Sequence, residues 1–78
     1  MELIEVTARF DVEGKITPLR LVRAGQELVM ESVGRRWRDE SGYHVLVMLL
    51  GGRLYELTFN AGEGKWYLDE KAAPPSVA

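Results

Sequence analysis

The sequence predicts an all-β fold, organised as a single small antiparallel meander of about six strands. Short segments in which apolar and polar residues alternate fill the second half of the chain, and glycine turns at Gly42, Gly51–Gly52 and Gly62–Gly64 separate them. A period of two is typical of half-buried strands, and glycine reaches the positive φ of tight turns without steric cost. No segment of adequate length shows the 3.6-residue period of an amphipathic helix.

The first two predicted strands lie near the amino terminus. Between positions 4 and 12 the apolar residues Ile4, Val6, Ala8, Phe10 and Val12 alternate with polar ones. A turn at 13–15 then leads into a second strand over residues 16–23, which contains a proline at position 18. Because proline has no backbone N–H to donate, this second strand lies at a sheet edge at that point or begins there.

The third predicted strand covers residues 27–38. Alternation places Val29, Val33 and Trp37 on one nominal face of it. Gly34 interrupts the strand and predicts a β-bulge, because a glycine inside a strand weakens packing and often relieves a bend. Unless a bulge turns it outward, Trp37 is expected in the core.

The fourth predicted strand, residues 43–50, is apolar on both faces. One face carries Val45, Val47 and Leu49, and the other carries Leu46, Met48 and Leu50. Strands covered on both sides are usual in parallel sheets under helices, but this sequence has no helical segment to provide that cover. Two explanations remain: a tightly curled barrel with a second small core, or a self-association surface.

Two more strands complete the prediction, at residues 54–60 and 65–69. Tyr55, Leu57 and Phe59 are expected to face the core from the first of them. The six strands are expected to bend strongly and to close, wholly or partly, into a small barrel of the SH3-like or OB-like kind. Residues 1–70 then form one β-domain, and the Pro- and Ala-rich residues 71–78 form a flexible tail.

Composition narrows the class of protein. The chain has 78 residues, no cysteine and a formal net charge of −2. With no disulfide or thiolate metal site available, the hydrophobic core alone must hold the fold, which suits a reducing bacterial cytoplasm. The start lacks the basic and apolar regions of a signal peptide, and no apolar run is long enough to span a bilayer. The acidic balance argues against general attraction to nucleic acids or anionic membranes.

No catalytic, cofactor-binding or metal-binding signature is present, so the sequence predicts neither an enzyme nor a small-molecule site. His44 is the only histidine, and no serine lies in a Gly-x-Ser-x-Gly turn. A single histidine without partner ligands does not make the usual metal site, so His44 is expected to be structural or exposed. The adjacent acids Asp39 and Glu40 lie at a strand end, where charged residues commonly solvate a turn.

The order of several short motifs resembles a family. These motifs are Pro18-Leu19-Arg20-Leu21, Gly25, an apolar run ending in Trp37-Arg38, Tyr55-Glu56-Leu57 and Gly64-Lys65-Trp66-Tyr67-Leu68. The chain resembles, over residues 16–69, a bacterial domain-of-unknown-function family whose members occur alone or beside polymerase-like proteins of the translesion mutasome. The resemblance implies a small β-domain without catalytic residues and an association with DNA repair.

Two functional hypotheses follow. The first is a noncatalytic protein-interaction or self-association module that binds a protein partner or a second copy through Leu46, Met48 and Leu50, or through an open strand edge. The second is a nucleic-acid-binding accessory module that uses Arg36, Trp37 and Arg38, because guanidinium groups bind phosphate and an exposed indole stacks on a base. Alternation places both arginines opposite the tryptophan, so the exposure of Trp37 discriminates between the hypotheses.

Overall fold

The computed structural model describes residues 1–71 and has six strands in this part of the chain. They are β1 (Glu2–Phe10), β2 (Ile16–Arg23), β3 (Gln26–Asp39), β4 (Gly42–Leu49), β5 (Arg53–Asn60) and β6 (Lys65–Lys71). All six predicted strands are therefore present, and β2 has the predicted bounds. β6 continues one residue into the predicted tail, and residues 72–78 lie outside the described part. Within residues 1–71 no helix could cross a membrane.

The strands form a closed barrel in which consecutive strands are neighbours. Every pair is antiparallel, and β1 completes the ring by pairing with β6 through Glu2, Leu3 and Ile4. The turn between β3 and β4 requires glycine, because φ at Gly42 is 135° and a Cβ there would overlap the carbonyl oxygen of Phe59. The predicted all-β meander and its closure into a barrel are thus confirmed.

A single hydrophobic core fills the barrel. Its buried members come from five strands: Ile4, Ile16, Leu21, Val45, Val47, Leu49, Tyr55, Leu57, Trp66 and Leu68. The core-facing side predicted for the fifth strand is confirmed, because Tyr55 and Leu57 are buried and Phe59 is partly buried against this core. The predicted face of β1 is only partly right. Val12 lies in the turn after β1 and is fully exposed, while Phe10, at the end of the strand, is 56% exposed.

Two bulges in β3 change which residues face the core. The register with β4 shifts between Met30 and Ser32 and again between Val33 and Arg36. The second shift confirms the bulge predicted at Gly34. Each shift adds a residue to β3 that has no counterpart on β4, so the simple alternation predicted for this strand does not hold.

The second bulge turns Trp37 outward. Trp37 lies opposite His44, and Arg36 lies opposite the buried Val45. Directly opposed residues of an antiparallel pair share a face, so Arg36 points inward and Trp37 points outward. Trp37 was expected in the core unless a bulge turned it outward, and this bulge does so, because one inserted residue reverses the faces of the residues that follow it.

The ladder between β2 and β3 is short. β2 pairs with β3 only through Arg20–Arg23 on one strand and residues 26–29 on the other. Beyond Val29, β3 pairs with β4 alone. We call residues 30–39 of β3 the free edge, and we call the gap between them and residues 16–19 of β2 the seam. Pro18 lies on the β2 side of the seam, which confirms the predicted edge position of this proline.

Candidate functional site

Side chains bridge the seam where strand pairing is missing. Arg36 points inward from β3, and its Nε donates a hydrogen bond of 2.9 Å to the hydroxyl of Tyr43. The Tyr43 hydroxyl donates in turn to the carbonyl oxygen of Ile16 at 3.3 Å, and Arg36 Nη2 lies 3.5 Å from Thr17 Oγ1. At the seam, therefore, the side chains of Arg36 and Tyr43 connect the strands. No backbone ladder joins residues 16–19 to residues 30–39.

The three residues of the predicted nucleic-acid patch do not form one surface. Arg36 is half-buried at the seam, whereas Trp37 lies half-buried on the outer face. Arg38 is exposed, with its guanidinium carbon 5.6 Å from the ring centre of Tyr43. The residue that accompanies Trp37 outside the barrel is Arg35, whose guanidinium carbon lies 5.2 Å from the indole centre.

Trp37 covers a polar cluster on the outer face. Its ring stacks on the imidazole of His44, with ring centres 5.1 Å apart and an interplanar angle of 9°. His44 is only 5% exposed and Thr58 only 2%, although both side chains lie outside the barrel core. The outer face of β4 therefore carries a buried polar cluster at this point, and not the second apolar core that was one explanation for its two apolar faces.

Both ring nitrogens of His44 contact a hydroxyl and a carboxylate. Nδ1 lies 2.9 Å from Thr58 Oγ1 and 3.0 Å from Glu56 Oε2. Nε2 lies 2.8 Å from both Ser41 Oγ and Asp39 Oδ1. Through these contacts a single side chain on β4 joins Asp39 of β3 and Glu56 and Thr58 of β5.

The cluster includes a serine, a histidine and a carboxylate that are connected by hydrogen bonds. Ser41, His44 and Glu56 are hydrogen-bonded in the order that nucleophilic serine sites use. Asp39 Oδ1, however, also accepts a 2.6 Å hydrogen bond from the Ser41 hydroxyl. The hydroxyl proton is thus directed to Asp39, whereas in a Ser-His-acid site it is directed to the histidine.

The carboxylate of Asp39 is held ionised by these contacts. Hydrogen bonds from the Ser41 hydroxyl, then from His44 and from the Ser41 backbone N–H, lower the pKa of Asp39 to about 2. Within residues 1–71 no group of three or more His, Cys, Asp and Glu side chains could hold a metal ion. The sequence indicated only a solvated turn at Asp39, since the partners of this residue become visible only once the strands are in register.

The predicted protein-binding residues Leu46, Met48 and Leu50 occupy two places. Leu46 is half-buried and Met48 is 37% exposed, and both point outward from β4. Leu50 is 75% exposed and lies in the turn after β4, where it lines a cleft of about 460 Å³ at the end of the barrel. Only Leu46 and Met48 therefore share the outer face with the free edge.

The free edge carries an ordered series of charges. Glu31 is near its beginning, and Arg35, Arg36 and Arg38 follow toward its end. In the described part of the chain none of these four side chains forms an ion pair. A strand edge of this kind presents unpaired backbone N–H and C=O groups, which are a template for pairing with another chain.

A comparison of the chain with protein-family models, with curated proteins and with solved structures finds no match. The function must therefore be inferred from the geometry of the free edge, the seam and the outer face. Of these three, only the free edge combines unpaired backbone, exposed charge and neighbouring apolar side chains.

Proposed function

We propose that the protein is a noncatalytic protein-interaction domain that binds an extended segment of a partner protein along the free edge of β3. The observation that supports this proposal is the difference in pairing along one strand. Residues 26–29 of β3 have a strand neighbour on both sides, and residues 30–39 have one only. An added strand gains affinity from main-chain hydrogen bonds and specificity from alternate side chains.

The outer face beside the free edge provides apolar contacts for such a segment. Ser32 and Trp37 point outward on β3, and Met48 lies opposite Ser32 on the next strand. Outward side chains of an added strand would lie beside Ser32 and Trp37, with Met48 one strand farther away. Methionine is flexible and adapts to different partner side chains, which suits a contact of this kind.

The charge of the edge favours a segment that carries carboxylates. Arg35 and Arg38 are both exposed, and both lack an ion pair within residues 1–71. Opposite charges on directly facing strand positions stabilise a pair by about 0.2–1 kcal/mol each. An extended segment with acidic residues opposite these arginines is therefore preferred over a basic one.

The same edge has features that prevent indiscriminate pairing. Two bulges interrupt its register, and Arg36 places a charge on the inward side. Bulges and inward-pointing charges are devices by which proteins protect exposed strands from aggregation. The edge is thus suited to a partner whose length and charge match it rather than to any β-strand.

An amide NMR titration of the full chain tests the proposal. The ligand is a blocked ten-residue peptide of alternating valine and glutamate, and the control peptide has lysine in place of glutamate. Saturable shifts centred on residues 30–39, weaker with the lysine peptide, would support edge binding. Arg35→Glu should weaken the binding, whereas Arg53→Glu, an equal charge change at the start of β5, should not. Absence of shifts, or shifts centred elsewhere, would reject the proposal.

Nucleic-acid binding is the second candidate, and the outward position of Trp37 is the observation that favours it. The resemblance to a family associated with translesion proteins agrees with this candidate. Against it, Trp37 already stacks on His44, and Arg36 is bound at the seam. A titration with single-stranded DNA at low and high salt distinguishes the two functions. Saturable shifts at Arg35 and Trp37 that fade as salt rises, and that are reduced in Arg35→Ala, would favour nucleic acid.

A further inference from the structure

We infer that the partner segment is the free edge of a second copy of this chain, and that the two β3 strands pair antiparallel about Val33. This inference rests on the proposed function, because it names the occupant of the same edge. It draws on two further observations: the order of charges along β3, and the absence of ion pairs at those charges within the described residues.

The charge order along the free edge is complementary to its own antiparallel copy. Glu31 precedes Val33 by two positions, and Arg35 follows it by two. When two copies pair antiparallel with Val33 facing Val33, Glu31 of each copy lies opposite Arg35 of the other. Two identical ion pairs then form across the two-fold axis, as a self-complementary interface requires. A parallel arrangement in the same register would place like charges together and would be destabilised.

Neither charge forms an ion pair within residues 1–71 of its own copy, although the Arg35 guanidinium lies over the Trp37 ring. Glu31 and Arg35 are both exposed. Forming the dimer therefore breaks no existing ion pair at these positions. Val33, at the centre of the register, is half-buried and packs against the core, so the middle of the contact is apolar.

The extent of the pairing is limited by the short ladder between β2 and β3. Val29 and the residues before it are already paired with β2, so the antiparallel contact covers residues 30–36 of each copy. Because one short strand pair forms the contact, we expect it to bury less than the roughly 1,200–2,000 Å² of a stable interface, and we expect the dimer to be weak and dependent on concentration. Trp37 and the cluster beneath it lie just outside the paired region.

Sedimentation velocity on the full chain, from micromolar to near-millimolar concentration, tests the inference. The wild-type chain is expected to shift from monomer to dimer, and less so at high salt. Glu31→Arg and Arg35→Glu each place like charges opposite one another twice and should weaken association by about tenfold. The double variant restores both ion pairs with reversed sign and should associate as strongly as the wild-type chain. Arg53→Glu serves as the charge-matched control and should dimerise like wild type.

The outcomes separate this inference from the proposed function. A chain that stays monomeric, yet binds the valine-glutamate peptide at residues 30–39, overturns the inference and leaves the proposed function standing. A dimer that the single substitutions leave unchanged also overturns it, because another surface must then form the contact. A monomeric chain that does not bind the peptide rejects both. Thermal unfolding of each variant confirms that a loss of association is not a loss of fold.

Discussion

The strand β5 and the free edge of β3 show two ways in which one small barrel is closed. β5 pairs with β4 on one side and with β6 on the other along nearly its whole length, and Tyr55 and Leu57 are almost completely buried. Residues 30–39 of β3 pair on one side only, and Arg36 and Tyr43 bridge the other side. Buried apolar side chains and backbone hydrogen bonds stabilise β5, whereas hydrogen bonds between polar side chains stabilise the open side of β3.

The comparison shows that β5 contributes more to the stability of the fold, whereas the free edge of β3 is the surface available for binding. A fully buried leucine stabilises a fold by several kcal/mol, whereas a typical hydrogen bond contributes a net of about 0.5–1.5 kcal/mol. The seam can therefore change its contacts at little cost to the fold. Regions with few buried apolar contacts open locally at lower free energy than the core, and binding segments are drawn from such regions.

The largest expected effect is on the closed side of the barrel. Leu57→Ala removes a side chain that is completely buried, and it should lower the free energy of unfolding by about 2–5 kcal/mol. Leu50→Ala is the matched control, because Leu50 is 75% exposed and its loss should cost less than about 0.5 kcal/mol. Urea denaturation of both variants measures the difference, and equal effects would contradict the assignment of the core to this side.

A smaller effect is expected at the seam. Tyr43→Phe removes the hydroxyl that accepts from Arg36 and donates to Ile16, and should lower the free energy of unfolding by about 1–2 kcal/mol. Tyr67→Phe is the control, because the Tyr67 hydroxyl donates only to Glu63 at an exposed site. This substitution should lower the free energy of unfolding much less. If the two tyrosine variants were equally stable in thermal unfolding, the Tyr43 hydroxyl would not be a bridge across the seam.

The smallest effect is a pH dependence that originates at the end of the free edge. The pKa of Asp39 is about 2 in the folded chain, below the roughly 3.9 of an unfolded aspartate. Its contribution to stability is therefore complete above about pH 4 and is lost as the pH falls from about 4 to about 2. Asp39→Asn should flatten the unfolding curve in this window, whereas Glu40→Gln should leave it unchanged. A curve that Asp39→Asn does not alter would show that the carboxylate is not held by Ser41 and His44.

Much of the fold could be predicted because its signals are local. Alternation located all six strands, and the proline in β2 indicated the edge that became one side of the seam. The glycine at position 34 located the bulge in β3. The consequence of that bulge could not be predicted, because a single inserted residue reverses the face of Trp37 and only the pairing with His44 shows that the reversal occurs.

The polar cluster was beyond sequence reasoning for a related reason. Asp39, His44 and Glu56 belong to three different strands, and their contacts depend on the register of both ladders that flank β4. Each residue alone is typical of a turn or of a solvated face. The length of the ladder between β2 and β3 is likewise a property of the closed barrel, because it depends on where the two strands diverge.

The central claim is that β3 has a free edge along residues 30–39. Hydrogen exchange of the backbone amides tests this claim most directly. In dilute solution we expect fast exchange at those amides in this range that face the seam, and slow exchange throughout residues 54–60 of β5. As the concentration rises, or as the valine-glutamate peptide is added, the fast amides should become protected. Uniform slow exchange along residues 30–39 of the monomer, equal to that of β5, would contradict the account, because β3 would then have a backbone partner on both sides.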